Sequence, residues 1–328
     1  STSGPMIPLD SLVLHDKLYF HEIDNTTYLA NGNPYAQVLQ VSAHRRLKDL
    51  YQTTMYARRE AAMVMSKGLG HWWFDMFSGW YDAPEMMREL VAIREASARM
   101  ASAEVRQIGE VAVLVDGPSH YYCAGLDTLL DQQVFAQVES LHRMGCPVDF
   151  YSAQDLLDPR FPKARYKLYL FPNLFAPTQA LREAVAELRA QGACLVFQYA
   201  AGAIGADGFD VAQMCALTQM ELTETQDDIG WTVVDAGALN DSGMTRIYGV
   251  GQPALRPSLI CTDAQAEGYG RDLLTKAMHL AVKPRTKGYD AWSLAGALPS
   301  FVLRGLARRA GVFLFETEDL PLFANSRM

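Results

Sequence analysis

Basic residues are not clustered in this sequence. It contains no run of Lys or Arg longer than a pair, and its 328 residues carry a formal net charge of -8 at pH 7. Nucleic acids and anionic membrane surfaces attract clustered basic residues, so neither is expected as a partner. The sequence also lacks an apolar run of about 18 residues that could span a bilayer. Its first residues lack the charged and apolar regions of a secretion signal, which favours a cytoplasmic protein.

Cysteine is scarce, and the few cysteines are scattered. Their odd number, their wide spacing and the lack of a CxxC pair predict reduced thiols rather than disulfides or a metal site. No GxGxxG or GxxxxGK[ST] motif is present to cradle a phosphate. We therefore expect neither a metal nor a tightly bound cofactor. The cysteines are Cys123, Cys146, Cys194, Cys215 and Cys261.

Aromatic and acidic residues are concentrated in residues 71–82, which read HWWFDMFSGWYD. An indole ring stacks on the apolar face of a sugar, and carboxylates accept hydrogen bonds from its hydroxyl groups. The segment therefore favours a carbohydrate site. The alternative is that its tryptophans simply pack in the core.

Alternation along a strand indicates which of these side chains could face a sugar. A strand from His71 to Met76 would place His71, Trp73 and Asp75 on one face. We expect that face to line the site, with Trp80 at the rim.

Asp75 has a second interpretation. An unpaired carboxylate among aromatic residues would be costly, so Asp75 either binds a sugar hydroxyl or pairs with a cation. The nearest cations in the sequence are Arg58 and Arg59.

A second segment, residues 18–24, is an apolar run that ends in ionisable residues. A barrel strand has this pattern where it emerges at its carboxyl end. A carboxylate oriented there by polar neighbours can attack a substrate, so we predict that Glu22 is a nucleophile and that His21 and Asp24 help to bind substrate. The alternative is a surface glutamate in a loop.

The rest of the pattern predicts an α/β fold. Residues 1–107 are expected to form two βα units, followed from residue 108 by short β-branched runs that alternate with amphipathic helices. Such buried runs indicate a parallel, doubly wound sheet. The expected strands are 18–24, 71–76, 111–115, 148–151, 168–171, 195–199 and 311–315. The expected helices are 43–67, 84–105, 126–144, 178–191, 209–218, 273–281 and 300–310, with Gly145 and Gly192 as left-handed caps.

These segments together resemble the C-terminal half of family 42 glycoside hydrolases, which are beta-galactosidase-like enzymes. Residues 14–24 are similar to the seventh strand of the family's barrel, and residues 72–76 with 79–82 are similar to the eighth. Residues 110–116 look like the first strand of the amidotransferase-like domain that follows the barrel in that family.

The resemblance implies a division into three parts. Residues 1–107 would be the end of a (β/α)8 TIM barrel, and residues 108–285 a flavodoxin-like or class I amidotransferase-like domain that mediates trimer formation. Residues 286–328 would begin a small C-terminal β domain.

The resemblance also implies a function, namely a retaining glycoside hydrolase that cleaves a β-linked sugar by double displacement. Glu22 would be the nucleophile, and the substrate-binding residues would be His21, Asp24, His71, Trp73, Asp75 and Trp80. The general acid/base of the family lies on a strand that this sequence does not contain, so we expect this chain alone to be nearly inactive. Where relatives tend toward Thr-Arg-Thr, this chain has Asn25-Thr26-Thr27, which alters the substrate contacts.

Two other functions are compatible with the pattern. The chain could be a non-catalytic oligomerisation or sugar-binding module, or an amidotransferase-like enzyme. The latter needs a nucleophilic cysteine on a tight turn between strand and helix, whereas Cys194 begins a predicted strand, where a buried thiol would be inert.

Overall fold

Two units make up the chain in the computed structural model. The first comprises residues 1–108 with 323–328, and the second comprises residues 109–322. The structure describes residues 7–32, 47–75, 78–123, 129–227, 230–249 and 255–328. Within those ranges, no helix is both long and apolar enough to cross a membrane.

The first unit contains a pair of short parallel strands with helices on one side. Its elements in chain order are α1 (Leu9–Leu14), β1 (Phe20–Ile23), α2 (Leu50–Met65), β2 (Gly70–Trp73) and α3 (Pro84–Ala101). Helix α2 begins after Asp49, whose side chain accepts the Gln52 N–H, and Pro84 opens α3 where a missing N–H costs nothing. The predicted strand–helix order is confirmed, although residues 43–46 and Met76 of the predicted elements lie outside the described residues.

The second unit contains a sheet of eleven strands and a small separate hairpin. Its strands in chain order are β3 (Val111–Val115), β4 (Val148–Ser152), β5 (Leu168–Phe171), β6 (Cys194–Gln198), β7 (Ile204–Gly205), β8 (Gly208–Phe209), β9 (Leu222–Thr225), β10 (Trp231–Val234), β11 (Arg246–Gly249), β12 (Ser258–Cys261), β13 (Glu267–Asp272), β14 (Met278–Pro284) and β15 (Tyr289–Ser293). Five strands run parallel in the order β4–β3–β5–β6–β15. That order is doubly wound, as predicted, with a topological switch point between β3 and β5. Antiparallel strands continue the sheet from β15 through β14, β13, β10 and β11.

Helices cover both faces of the parallel strands. They are α4 (Ala136–His142), α5 (Gln179–Ala190), α6 (Val211–Thr218) and α7 (Ser300–Arg309). Leu141 of α4 and Leu306 of α7 share a core cluster with Val196 of β6 on one face. On the other face Arg189 of α5 donates to Asp290 of β15 at 3.0 Å.

Two predicted elements are wrong. Residues 273–281, predicted as a helix, form the turn after β13 and the start of β14, because a short apolar run buried in a sheet looks like a buried helix in sequence. Residues 311–315, predicted as a strand, are irregular, and the Phe315 N–H donates to the Gly145 carbonyl at 2.8 Å. The predicted left-handed glycine after α5 is confirmed, since Gly192 follows the C-cap Gln191 and has φ of 91°. Gly145 also has a left-handed φ, 93°, but α4 ends three residues earlier, at His142, so Gly145 is not its cap.

Two further predictions differ from the structure at their boundaries. The separate domain expected from residue 286 is not seen, since β15 pairs with both β14 and β6 inside the large sheet. The helix predicted at 126–144 is a π-helical turn, Asp131–Phe135, followed by α4, and residues 126–128 lie outside the described residues.

Candidate functional site

Strands β1 and β2 place Glu22 beside Trp72. In the parallel pairing of the two strands, Glu22 is the register partner of Trp72, and Ile23 is the partner of Trp73. Ile23 is buried against α2 and α3, so the alternation of a strand directs Glu22 and Trp72 to the opposite, open face. Trp72 is 43 % exposed there.

Phe20 belongs to the same open face. Its register partner is Gly70, where an added Cβ would lie 2.6 Å from two atoms of the Phe20 ring. The ring therefore lies over the backbone of Gly70. Beyond Trp72, the Phe74 ring packs edge-on against the indole with centroids 5.5 Å apart. Aromatic side chains thus line both strands around Glu22.

The histidines lie on the helix side of the two strands. His21 Nε2 is 3.2 Å from Glu60 Oε2 on α2. His71 is its register partner, and burial together with the neighbouring His21 lowers the pKa of His71. Trp73 packs edge-on against His71 at 5.3 Å and belongs to the core around Ile23. His71 and Trp73 share a face, as expected, but that face lies against α2 and α3, so the expectation that Trp73 rather than Trp72 faces the open side is wrong.

Asp75 and Trp80 are linked within the turn after β2. Asp75 Oδ2 accepts the backbone N–H of Trp80 at 3.1 Å. Trp80 is only 1 % exposed and packs with Ala30, so its predicted position at the rim is wrong. Pairing of Asp75 with Arg58 or Arg59 is also wrong. Arg58 donates to Glu89 at 2.8 Å, and Arg59 donates to Glu60 at 2.8 Å.

Tyr81 lies between the carboxyl ends of the two strands. Its hydroxyl is 3.3 Å from the Ile23 carbonyl and 3.4 Å from that of Phe74. Burial, and then the negative charges of Asp75 and Asp24, raise the pKa of Tyr81, which keeps the phenol neutral. Asp24 and Asp75 therefore lie near one hydrogen-bonding side chain, and Asp75 Oδ1 is buried with no partner among the described residues.

Sequence reasoning missed Trp72 and Tyr81. Alternation from the buried Ile23 orients β1 only. It leads to Trp72 once the pairing register of the two strands is known, and the local sequence does not contain that register. Tyr81 carries no comparable signal, since it reaches the strand ends only through the turn that contains Trp80.

The switch point of the large sheet is filled by side chains of its own. Asn173, which follows β5, accepts the Asp116 N–H at 2.9 Å and donates to the Asp116 carbonyl at 2.8 Å. The Ser119 hydroxyl donates to the Asp116 carboxylate and accepts the N–H groups of Phe175 and Ala176. A doubly wound fold usually binds a ligand at this edge. Here the polar groups at the switch point hydrogen-bond to one another and to the neighbouring backbone.

The turn after β6 has the strained geometry that often holds a nucleophile, but the residue there is Tyr199. Its φ is 52°, which is uncommon for a residue other than glycine. Its hydroxyl donates to the Pro257 carbonyl at 2.8 Å, and burial raises its pKa. Cys194 lies at the other end of β6, where burial raises the pKa of the thiol. No thiol therefore occupies the position that an amidotransferase requires.

The described residues contain no group of three or more His, Cys, Asp or Glu side chains placed to hold a metal ion. All five cysteines are free.

Comparison with known proteins gives a fold but no close relative. No protein-family model matches the chain, and no curated protein sequence matches it. Among solved structures, a beta-galactosidase from Bacillus circulans sp. alkalophilus matches 80 % of this chain and 43 % of its own, with a TM-score of 0.56 and 14 % identity. A beta-galactosidase from Rahnella sp. R3 matches 82 % of this chain and 43 % of its own, with a TM-score of 0.56 and 15 % identity.

A family 42 beta-galactosidase from G. stearothermophilus is similar over 78 % of this chain and 40 % of its own, with a TM-score of 0.54 and 14 % identity. The chain thus spans less than half the length of these structures. The resemblance to family 42 beta-galactosidases that the sequence predicted is confirmed at the level of the fold.

Proposed function

We propose that this chain is the C-terminal part of a retaining glycoside hydrolase that cleaves β-linked glycosides. The two βα units of the first unit would be the last two of a (β/α)8 barrel, and the second unit would be an amidotransferase-like domain. One observation carries the proposal: a carboxylate, Glu22, lies beside an exposed indole, Trp72, on the open face of two parallel strands. In a barrel, that face is the interior.

Pairing of the strands supports the barrel. Within the described residues, β1 and β2 pair only with each other, which leaves an unpaired edge on each strand. Two strands with free edges are rarely stable in water, and Phe20 on their open face is 56 % exposed. Six further strands would pair with both edges and cover the open face.

Glu22 would act as the nucleophile. Its carboxylate would attack the anomeric carbon and form a glycosyl ester as the bond to the leaving oxygen breaks. A second carboxylic acid, on a barrel strand outside this chain, would protonate that oxygen. The same group would then take a proton from water, which hydrolyses the ester and frees Glu22. General acid catalysis of this kind contributes about 10² to 10⁴ in rate, so this chain alone should be nearly inactive.

The sugar subsite would be formed by the open face and the strand ends. Trp72 would stack on the sugar ring in place of the expected Trp73, and Asp24 and Asp75 would accept hydrogen bonds from sugar hydroxyls. The Trp80 N–H already binds Asp75 Oδ2, so the sugar contact would fall to Oδ1, which is buried and has no partner among the described residues. The opposite face of the two strands would be held against α2 and α3 by His21, His71 and Trp73. These three side chains would then support the subsite without contacting the sugar.

The second unit would serve as a scaffold and as the contact surface of a homo-oligomer, which is a trimer if the family resemblance extends to assembly. Its switch point is closed by Asn173 and Ser119, and Tyr199 occupies the strained turn. These features favour a structural role for this unit over an amidotransferase activity.

The test is hydrolysis of nitrophenyl β-glycosides by the chain extended upstream to a whole barrel. Glu22→Gln should abolish turnover, and azide should restore it in Glu22→Ala by supplying an external nucleophile. Glu95→Gln, an exposed change on α3, is the matched control and should leave the rate unchanged. An inert extended protein that still binds galactose would support the non-catalytic module instead, and activity that survives Glu22→Gln would remove Glu22 from the mechanism.

A further inference from the structure

Two buried polar side chains lie next to each other on one face of the large sheet, at the carboxyl ends of its strands. Gln198 ends β6, and Ser293, its register partner, ends β15. Pro172 follows the last residue of β5, Phe171, whose partner is Phe197, so Pro172 comes next to Gln198 on the other side. Gln198 and Ser293 are both 0 % exposed.

A third polar side chain reaches the same place from a helix. Gln133 lies in the π-helical turn 131–135 and is also 0 % exposed. Its Nε2 donates to the Pro172 carbonyl. Because Pro172 neighbours Gln198 across the sheet, the amide of Gln133 comes close to that of Gln198.

The orientation of both amides is fixed by the hydrogen bonds that they already make. A backbone carbonyl only accepts, so the nitrogen of Gln133 must face Pro172, and the nitrogen of Gln198 must face the Gly296 carbonyl at 2.9 Å. The Oε1 atoms of both glutamines and the Ser293 hydroxyl are buried and have no hydrogen-bond partner among the described residues.

The strand register and the Gln133–Pro172 hydrogen bond bring these three side chains next to one another, and their chemistry defines what would satisfy the three atoms. Two are acceptors and need donors, while the third is a hydroxyl that can donate. All three side chains are neutral, so a cation would lie buried without a counter-charge. Water is the smallest molecule that donates twice and accepts, and buried waters usually join polar groups of this kind.

We propose that Gln133, Gln198 and Ser293 form a binding site for one internal water molecule. The water donates to the two Oε1 atoms and accepts from the Ser293 hydroxyl. It ties the π-helical turn to the ends of β6 and β15. One turn further along, Gln137 holds the Leu298 backbone through both its amide atoms, at 2.8 and 3.0 Å. Gln137 thus joins α4 to the loop before α7. The proposed water site does not depend on the proposed catalytic function.

Ser293→Ala tests the proposal through the sign of its effect on thermal stability. If water is bound, the substitution removes one of its three partners, and Tm should fall by about 2 to 4 °C, the shift typical of one hydrogen bond in a chain of this size. If the site is dry, the substitution removes a buried hydroxyl without a partner, and Tm should rise. A rise would overturn the proposal.

Diffraction from crystals of the unmodified chain is the second measurement. We expect one ordered water about 3 Å from all three atoms. Its absence at a resolution that shows other internal waters would refute the site. Ser119→Ala is the matched control for the stability measurement, because Ser119 is a fully buried serine whose hydrogen bonds are all to protein groups; it should lower Tm whether or not the site holds water.

Discussion

Glu22 and Trp72 are register partners on two adjacent parallel strands, and both side chains lie on the face that α2 and α3 leave open. Strand pairing fixes their relation more firmly than a loop could, since neighbouring strands keep a constant spacing of about 4.8 Å. A carboxylate beside an indole is the arrangement on which the proposed function depends.

The two adjacent tryptophans should respond differently to truncation. In the upstream-extended protein, Trp72→Ala should lower kcat/KM about tenfold, since it removes a stacking surface that is 43 % exposed and packs edge-on against Phe74. Trp73→Ala should lower the free energy of unfolding by about 2 kcal/mol, because Trp73 packs with Ile23, His71 and Tyr81. Glycoside hydrolysis and urea denaturation of both variants measure the two effects. The assignment of faces fails if Trp72→Ala is the more destabilising of the two.

Stability should fall in mild acid because of His279. This histidine is 0 % exposed, and burial lowers its pKa to about 4 against the opposing influence of Asp272. Between pH 6.5 and 4 the unfolded chain takes up a proton that the folded chain excludes. The free energy of unfolding therefore decreases as the pH falls through this window, by about 3 kcal/mol in total from this residue.

Other groups titrate in the same window, so the measurement is a difference. Urea unfolding of the natural chain and of His279→Gln should be compared from pH 7 to pH 4. The gap in stability between the two should shrink toward pH 4. A gap that is independent of pH would show that His279 does not titrate in this way.

Alkylation should distinguish the buried thiols from the others. Burial raises the pKa of Cys146 to about 12 and of Cys261 to about 11, and it also raises the pKa of Cys194. The reactive form is the thiolate, so iodoacetamide at pH 8 should leave these three unmodified in the folded protein and label all five cysteines in urea. Mass spectrometry of the peptides reports each site. Rapid labelling of Cys194 in the folded protein would instead support the alternative function, an amidotransferase-like enzyme.

A stabilising substitution is available at the end of α6. Gln219 is exposed and has φ of 58° at the helix C-terminus. Glycine adopts this conformation without strain, so Gln219→Gly should raise the free energy of unfolding by about 0.5 kcal/mol. Both substitutions lose the side-chain contact to the Ala216 carbonyl, but Gln219→Ala keeps the strain, so it is the control and should destabilise. Equal effects of the two substitutions, measured by urea denaturation, would count against this explanation.

The sequence by itself determined the local structure wherever a pattern had a single physical solution. The β-branched run Val111–Val115 is short and typical of a buried strand, and Gly192 follows the end of α5 because few other residues accept a left-handed conformation. The two βα units and the doubly wound order followed from such patterns, and so did the family resemblance.

Tertiary structure decided what local patterns leave open. The run from 273 to 281 is apolar enough for a helix, but its second part, 278–281, joins the large sheet because strand pairing with β13 and β15 satisfies its backbone. Trp72 and Trp73 are equivalent in sequence, and only the packing of Ile23 against α2 and α3 decides which of them faces outward. The hydrogen bond that fixes Asp75 runs to a residue in the same turn, whereas its predicted partners Arg58 and Arg59 bind acids on the helices. Faces, partners and burial depend on residues far apart in the chain, and no local pattern carries that information.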